Sequence, residues 1–373
     1  MTAPPRLPVL FTPGPVQVPA AVRRAFVEPP CNYHRQGAFG ELFARNERDV
    51  KALLGIRALD AYASVVLATT GTGANEACLQ TLATFGKGLI LNNGFFGARL
   101  CEQARRTDLA HVVFDGPADR PLDVADVERT LARHAGLAWL YFVAHETRAG
   151  LANPVEALGR LGRRHALVVA ADVVSNAHAY PLDVERAGLD FAVLSSAKGL
   201  MSVPGLGIVL ARNQTIARAA ARPRRAFYLD LPDEWAKQRD TRQPRFAQPV
   251  ALHAALGAAC QHLTTLGLEA HMGRIRRQLR ELEMHLLSLG VSALLTPAHR
   301  SNVAVNFRLP PRLDYATFAR RLEQQGYYVL YGIPGDASMF QLSTMGDLTD
   351  AHVSGLKVAL DRVLGDDLTK EAS

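Results

Sequence analysis

The sequence contains few of the residues that mark metal-binding or membrane proteins. It has four cysteines, Cys31, Cys78, Cys101 and Cys260, with no CxxC pair and no spacing with histidines that suits a metal. This usage argues against a structural zinc site and predicts a reducing compartment. No apolar run approaches the roughly 18 residues that cross a bilayer. We therefore expect neither a bound metal nor a membrane partner.

The N-terminal residues 1–6 contain no basic segment followed by an apolar core, so we expect no signal peptide and a cytoplasmic protein. The net charge of +7 comes from scattered arginines. The densest arginine cluster, residues 222–225, is interrupted by Pro223. This distribution predicts no nucleic-acid partner, and it is compatible with an anionic small-molecule substrate.

Lysine is scarce, and one lysine has an unusual position. Only six of the 373 residues are lysines, and Lys198 ends the apolar run 191–197 just before a second apolar run, 208–211. A partly desolvated lysine can lose its proton and attack a carbonyl carbon, which arginine cannot do. The alternative is a solvated lysine on a turn.

Apolar runs and helix-period stretches alternate between about residues 60 and 215. This alternation is typical of an α/β fold with a mostly parallel sheet covered on both faces. Ligands of such sheets collect at the carboxyl ends of the strands, where we expect Asp172 and Lys198. The runs that predict strands are 65–68, 88–92, 111–114, 138–143, 167–172, 191–197 and 208–211.

The C-terminal part predicts a smaller α/β domain. A long helical pattern runs from about residue 249 toward 287, and a strand, a helix and a strand follow at 302–307, 315–325 and 327–331. We predict an N-terminal arm over residues 1–20, a large domain over 21–255 and a small domain over 256–373.

Three further signals accompany Lys198. The glycine-rich turn 70–77 lies between a strand and a helix and could present free N–H groups to a phosphate, although a plain turn is the alternative. Phe96 follows the next strand and could stack on a planar ring, or it is a core residue. Asp172 closes an apolar strand, where a carboxylate needs a cationic partner such as a protonated pyridine nitrogen. The alternative for Asp172 is a helix N-cap.

The order of these four signals resembles that of the fold-type I pyridoxal-phosphate enzymes, and among them the class V aminotransferases. The resemblance covers roughly residues 8 to 365. Within that class the sequence is similar to two groups, the 2-aminoethylphosphonate–pyruvate transaminases and the serine– and alanine–glyoxylate aminotransferases. The segments that carry it are 11–15, 32–35, 71–77, 94–99, 145–150, 172–175 and 194–205.

The resemblance implies the cofactor pyridoxal 5′-phosphate and a role for each matching residue. Lys198 would form the Schiff base with the cofactor and then move the proton, and Asp172 would pair with the pyridine nitrogen. Phe96 would stack on the ring and Thr147 would reach its hydroxyl. The backbone of Thr72, Gly73 and Ala74, together with the Ser196 hydroxyl, would hold the phosphate. Ser175 and Gln248 complete the implied cofactor-binding set.

Two positions depart from the family pattern. Gln341 stands where these enzymes carry an arginine that grips the substrate carboxylate, and a charge-assisted hydrogen bond contributes about 1.5–3 kcal/mol. Gln248 follows Ala247, where a phosphate-binding Thr or Ser from a partner subunit is expected. We hypothesise that Arg148, together with Arg35, binds the substrate anion instead. The alternative is that Arg148 lies on a solvated loop.

The sequence therefore predicts an aminotransferase that moves an amino group from a small amine or amino acid to a 2-oxo acid such as pyruvate or glyoxylate. 2-Aminoethylphosphonate is one candidate donor. The alternative is a pyridoxal-phosphate lyase or eliminase on the same scaffold, because the loss of the arginine leaves the carbanion chemistry intact. The resemblance also implies a homodimer with shared active sites.

Overall fold

The computed structural model describes residues 7–368, which contain two main sheets with helices around them. Helices α1 to α13 are, in chain order, Ala20–Val27, Gly37–Leu53, Gly71–Ala83, Phe95–Arg106, Val124–Arg133, Val155–Arg164, Val184–Ala187, Asn213–Ala220, Leu231–Thr241, Val250–Leu266, Leu268–Ser288, Tyr315–Gln324 and Asp350–Leu368. Strands β1 to β13 are Val9–Phe11, Tyr62–Leu67, Gly88–Asn92, His111–Asp115, Trp139–Val143, His145–Glu146, Leu151–Ala152, Val168–Asp172, Phe191–Ser195, Gly207–Arg212, Ala304–Arg308, Tyr327–Tyr331 and Met339–Ser343.

The large sheet has seven strands in the order β2-β10-β9-β8-β5-β3-β4. Strand β10 is antiparallel to both of its neighbours, β2 and β9. The pairs among β9, β8, β5, β3 and β4 are parallel. The predicted mostly parallel sheet is therefore confirmed.

Helices cover both faces of this sheet because its strands are apolar on both sides. In β9, Phe191 and Val193 belong to one buried cluster, and Ala192 and Leu194 belong to the other. Successive side chains of a strand point to opposite faces, so a strand buried on both faces must be apolar throughout. This arrangement explains why the apolar runs predicted the strands.

The smaller sheet has the order β1-β12-β13-β11, and its N-terminal strand β1 pairs in parallel with β12. The predicted N-terminal arm thus contributes a strand to the C-terminal sheet, and the predicted boundary between residues 255 and 256 falls within α10. The division into domains remains a prediction.

The long helical pattern after residue 249 is two helices and not one. Gly267 has φ +75°, a left-handed conformation that suits glycine, and it ends α10 and precedes α11. Within residues 7–368, every helix is too short or too polar to pass through a lipid bilayer.

Candidate active site

The two predicted catalytic residues lie at the same edge of the large sheet. Asp172 is the last residue of β8, and Lys198 lies three residues beyond the end of β9. These strands are parallel neighbours, with Asp172 paired with Val193. A cleft of about 360 Å³, counting its open mouth, brings together six of the predicted site residues: Thr72, Phe96, Thr147, Asp172, Ser175 and Lys198.

The environment of Lys198 favours the neutral amine. Burial, together with the nearby charge of Arg148, lowers the pKa of Lys198 to about 8, while Asp172 acts in the opposite direction. Its Nζ donates a hydrogen bond to the carbonyl of Pro13 at 3.0 Å. The next residue, Gly14, has φ +143°, and a Cβ there would collide with the Lys198 side chain. The segment 11–15 therefore leaves room for the lysine.

Asp172 is buried, and its carboxylate is held by hydrogen bonds on both oxygens. The Val174 N–H donates to Oδ1 at 2.9 Å, and Asn75 Nδ2 donates to Oδ2 at 2.6 Å. Tyr141 donates its hydroxyl proton to Asn75 Oδ1 at 2.6 Å and thereby fixes the amide. Burial raises the pKa of Asp172, and these hydrogen bonds oppose the rise. A cation placed against this carboxylate would be strongly stabilised.

Three polar side chains form one hydrogen-bonded group on the wall of the cleft. Thr147 Oγ1 donates to Ser175 Oγ at 2.5 Å, and His145 Nδ1 lies 3.0 Å from the same oxygen. Burial lowers the pKa of His145 to about 3, so its imidazole is neutral. His145 Nε2 is buried and has no hydrogen-bond partner among residues 7–368. An unsatisfied polar atom at this position fits a cleft built to hold a polar ligand.

Phe96 is held by a buried carboxylate at the start of α4. The backbone N–H groups of Phe96 and Gly97 donate to Glu146 at 2.9 and 2.6 Å. Burial raises the pKa of Glu146 to about 7, and the two N–H groups limit this rise. Glu146 thus replaces the N-cap side chain that α4 lacks. The position of the Phe96 ring at the cleft depends on this contact.

The start of α3 presents free backbone donors. Ala74 N–H is used by the helix, since it donates to the carbonyl of Thr70 at 3.0 Å. The N–H groups of Thr72 and Gly73 make no hydrogen bond within residues 7–368. Two of the three predicted phosphate donors are therefore available, at a helix end where the dipole favours an anion.

The structure does not bring Ser196 to the cleft. Its side chain is fully buried, and Oγ donates to the carbonyl of Val203 at 2.7 Å. It also accepts the N–H of Leu206 at 3.4 Å. Ser196 therefore closes the loop after Lys198, and its contact with a phosphate remains a prediction.

Arg35 and Gln248 also lie away from the cleft of their own chain. Arg35 donates to the side chain of Gln243 at 2.9 Å and to the backbone carbonyls of residues 244 and 245. Gln248 donates to the carbonyl of Val66 at 3.2 Å, and its Oε1 lies 2.8 Å from His253 Nε2. The roles of both residues remain predictions, and the family pattern places the phosphate contact near Gln248 in a partner subunit.

Gln341 is fully buried in β13 and binds the loop that carries Arg148. Its Nε2 donates to the carbonyl of Thr147 at 2.6 Å and to Asn306 Oδ1 at 3.1 Å. Arg148 lies over the Tyr331 ring, with Cζ 4.1 Å from the centroid, and donates to the Tyr331 hydroxyl at 2.6 Å. Neither Gln341 nor Arg148 lines the cleft, but Arg148 is near enough to Lys198 to lower its pKa.

We expect Gln341→Ala to lower the free energy of unfolding by about 1–3 kcal/mol, because the buried Asn306 Oδ1 loses its donor and the Thr147 carbonyl keeps only the N–H of Gly150. Urea denaturation of the wild type and the variant measures this difference. Gln324→Ala, an exposed glutamine at the end of α12, is the control and should change stability by about 0.5 kcal/mol or less. Equal stability of the Gln341 variant and the wild type would contradict the assigned contact.

Sequence and structure comparisons agree with this geometry. The sequence profile of the family Aminotransferase class-V matches residues 21–341. A 2-aminoethylphosphonate–pyruvate transaminase of Aeromonas hydrophila is 32% identical over 358 residues, which cover 94% of each chain. An aspartate aminotransferase of subgroup IV from Thermus thermophilus has a TM-score of 0.84 at 27% identity, with 96% of this chain and 99% of that chain covered. An alanine–glyoxylate aminotransferase of Nostoc sp. has a TM-score of 0.88 at 24% identity, with 98% and 97% covered.

The two-sheet fold, with a buried lysine and aspartate at adjacent strand ends, defines a fold-type I pyridoxal-phosphate-dependent aminotransferase. The chain belongs to the class V aminotransferase family.

Proposed function

We propose that the enzyme transfers an amino group from a small amine or amino acid, with 2-aminoethylphosphonate as the favoured donor, to a 2-oxo acid such as pyruvate or glyoxylate. The observation that carries this proposal is the pair of Lys198 and Asp172 in one cleft, with Arg148 close enough to lower the pKa of the lysine. The similarity to a 2-aminoethylphosphonate–pyruvate transaminase over nearly the whole chain supports the choice of donor.

The residues of the cleft fit pyridoxal 5′-phosphate. Asp172 offers a buried carboxylate to the ring nitrogen, and the free N–H groups of Thr72 and Gly73 suit the phosphate. The Thr147 and Ser175 hydroxyls offer polar contacts to the ring substituents. When bound, this cofactor supplies an electron-withdrawing ring that stabilises negative charge on the carbon next to the amine nitrogen.

Lys198 has two tasks in this proposal. Its neutral amine would hold the cofactor through the carbonyl group, and once the substrate amine takes that place the free Nζ would hold and move the proton of the substrate carbon. Both tasks need a deprotonated amine at working pH. The lowered pKa of Lys198 increases the fraction of that form near neutral pH.

The rate of cofactor capture should therefore depend on pH with an apparent pKa near 8. Below this value Lys198 is protonated and cannot attack, so the rate is expected to rise about tenfold per pH unit from pH 6 and to level off above pH 9. Stopped-flow absorbance after mixing apoprotein with pyridoxal 5′-phosphate measures the rate. A rate that keeps rising beyond pH 10 would indicate an ordinary lysine.

An absorbance scan with a panel of amines tests the function. Protein saturated with the cofactor is mixed with 2-aminoethylphosphonate, alanine, serine or glutamate. Aminotransfer predicts that the visible band disappears with the true donor, that the cofactor is recovered in its amine form, and that a 2-oxo acid restores the band. A protein that forms no visible band would overturn the proposal.

A lyase or eliminase is the second candidate, and the position of Gln341 favours it. This neutral amide is buried and bound to Thr147, so it offers no charge to the carboxylate of a 2-oxo acid. A lyase would release ammonia or another leaving group while the visible band persists. The same scan, with ammonia and carbonyl products assayed, separates the two reactions.

We also propose a homodimer in which Gln248 and Arg35 contribute to the partner's site. Both residues adjoin the segment 226–246, in which Phe227 is 74% exposed and Tyr228 is 51% exposed. Large exposed aromatic side chains of this kind are typical of interfaces. Sedimentation analysis should give twice the chain mass of 40.5 kDa, and a monomer at working concentration would contradict the proposal.

A further inference from the structure

Two arginines from different segments lie against one exposed aromatic ring beside the cleft. Arg99 Cζ is 5.0 Å from the centroid of Phe95, and Arg148 Cζ is 5.8 Å from the same centroid. Phe95 is 40% exposed, and the Arg99 side chain lines the cleft itself. Arg99 lies one helical turn after Phe95 on α4, so both side chains are on the same face of the helix.

Neither guanidinium group has a carboxylate partner. Among residues 7–368, Arg99 donates only to Thr72 Oγ1, at 3.3 Å, and Arg148 donates only to the hydroxyl and carbonyl of Tyr331. The next arginines on α4 behave differently, since Arg105 and Arg106 pair with Glu102 at 2.8 and 2.6 Å. An arginine has five N–H donors, so most donors of both residues at the cleft remain available.

Both positive charges reach the reacting lysine. Arg148 and Arg99 each lower the pKa of Lys198, and Arg99 also lowers the pKa values of Asp172 and Glu146. The carboxylates of Asp172 and Glu146 are already engaged by backbone or amide donors. Arg99 and Arg148 are therefore the cationic groups near Lys198 whose donors remain available to a bound anion.

We propose that Arg99 and Arg148 form a single anion site that takes a doubly charged tetrahedral group, a phosphonate or phosphate, on the substrate. Two guanidinium groups can donate to three oxygens of such a group, whereas a carboxylate is satisfied by one. Phe95 and Tyr331 form the aromatic walls of the site. This inference rests on the proposed function, and it names Arg99 where the sequence had suggested Arg35.

The small sheet prepares this site by fixing the backbone of Arg148. Asn306 Nδ2 donates to the Arg148 carbonyl at 2.6 Å, and Gln341 donates to the preceding carbonyl of Thr147 at 2.6 Å. Tyr331 holds the guanidinium group from β12. Gln341 thus does not bind the anion itself but supports the backbone of the arginine that does. This contact gives a physical role to the glutamine that departs from the family pattern.

Calorimetric titration with ethylphosphonate tests the site, because this probe has no amine and cannot react. The protein is saturated with pyridoxal 5′-phosphate first. We expect Arg99→Ala and Arg148→Ala each to weaken ethylphosphonate binding by about 10- to 100-fold, as the loss of a charge-assisted hydrogen bond implies. Binding of propionate to the wild type should be weaker than that of ethylphosphonate. Arg105→Ala is the matched control on α4 and should leave both affinities unchanged.

Further titrations identify the ligand and guard against misfolding. Arg99→Lys and Arg148→Lys keep the charge and lose the planar fork, so intermediate affinities are expected. Ethyl phosphate and ethylphosphonate bound equally would assign the site to tetrahedral dianions in general, and tighter ethylphosphonate would assign it to phosphonates. Circular dichroism of each variant checks the fold.

Three outcomes would overturn the inference. The first is equal binding of propionate and ethylphosphonate by the wild type. The second is wild-type affinity for ethylphosphonate in both alanine variants. The third is an Arg99→Ala variant that loses affinity for pyridoxal 5′-phosphate alone, which would assign Arg99 to the cofactor phosphate. If the wild type binds ethylphosphonate through both arginines but transfers no amino group, the anion site stands and the proposed reaction fails.

Discussion

Lys198→Ala is expected to lower the rate of aminotransfer by about 10⁴-fold or more. On the proposed mechanism the variant lacks both the amine that captures the cofactor and the base that moves the proton, and a positioned base alone contributes about 10²–10⁴-fold. Steady-state turnover with the donor identified in the amine panel measures the loss. Borohydride reduction followed by mass spectrometry gives a second readout, since the wild type should retain the cofactor covalently at Lys198 and the variant should not.

Two further variants locate the cause of this effect. Lys198→Arg keeps a positive charge opposite Asp172 but cannot act as a nucleophile, so it should be as inactive as the alanine variant. Lys87→Ala removes an exposed lysine next to β3 and should leave the rate unchanged. Covalent cofactor in either Lys198 variant would mean that another amine carries the chemistry.

The sequence predicted that Lys198 and Asp172 lie at one edge of the sheet, because this location depends only on where each residue follows its strand. Each follows an apolar run, the runs became neighbouring parallel strands, and the carboxyl ends of parallel strands meet at one edge. The large sheet was predictable for the same reason, since continuous apolar runs need burial on both faces. Strand β13 was not predicted, and with it the burial of Gln341 was missed.

For other residues the direction of the side chain decides what it contacts, and local sequence does not give that direction. Ser196 adjoins Lys198 in the chain but turns into its own loop toward Val203. Asn75 and Arg99 lie within segments that carried the family resemblance, yet neither was assigned a role. Spacing could have indicated both, because Arg99 is four residues after Phe95 and Asn75 is three after Thr72, each on one helical face.

Contacts between distant segments were beyond the reach of the sequence. Glu146 caps α4 across fifty residues, and Gln341 reaches Thr147 across almost two hundred. Local patterns contain no information about such pairs, because tertiary packing alone brings them together. In the proposed homodimer Arg35 and Gln248 would belong to the same class, since the partner subunit would decide what they contact.

Asp172→Asn is expected to lower the aminotransfer rate by about 10²–10⁴-fold. The neutral amide cannot stabilise a protonated ring nitrogen, and breaking a buried charge pair by removal of one partner costs about 3–5 kcal/mol, at about tenfold for each 1.4 kcal/mol. Steady-state kinetics measure the loss. Asp172→Glu keeps the charge but displaces it from the Asn75 and Val174 donors, so an intermediate rate is expected.

The stability of the apoprotein separates this electrostatic role from a general loss of structure. Burial raises the pKa of Asp172, which means that the charged carboxylate lowers the stability of the folded apoprotein when no cation lies beside it. The asparagine variant removes that cost, but its single oxygen can accept from only one of the two donors, Asn75 and Val174, so the effects oppose each other and its apoprotein should unfold at about the same urea concentration as the wild type. A variant that is both less stable and less active would assign Asp172 to the fold, whereas a stable and inactive one assigns it to the cofactor nitrogen.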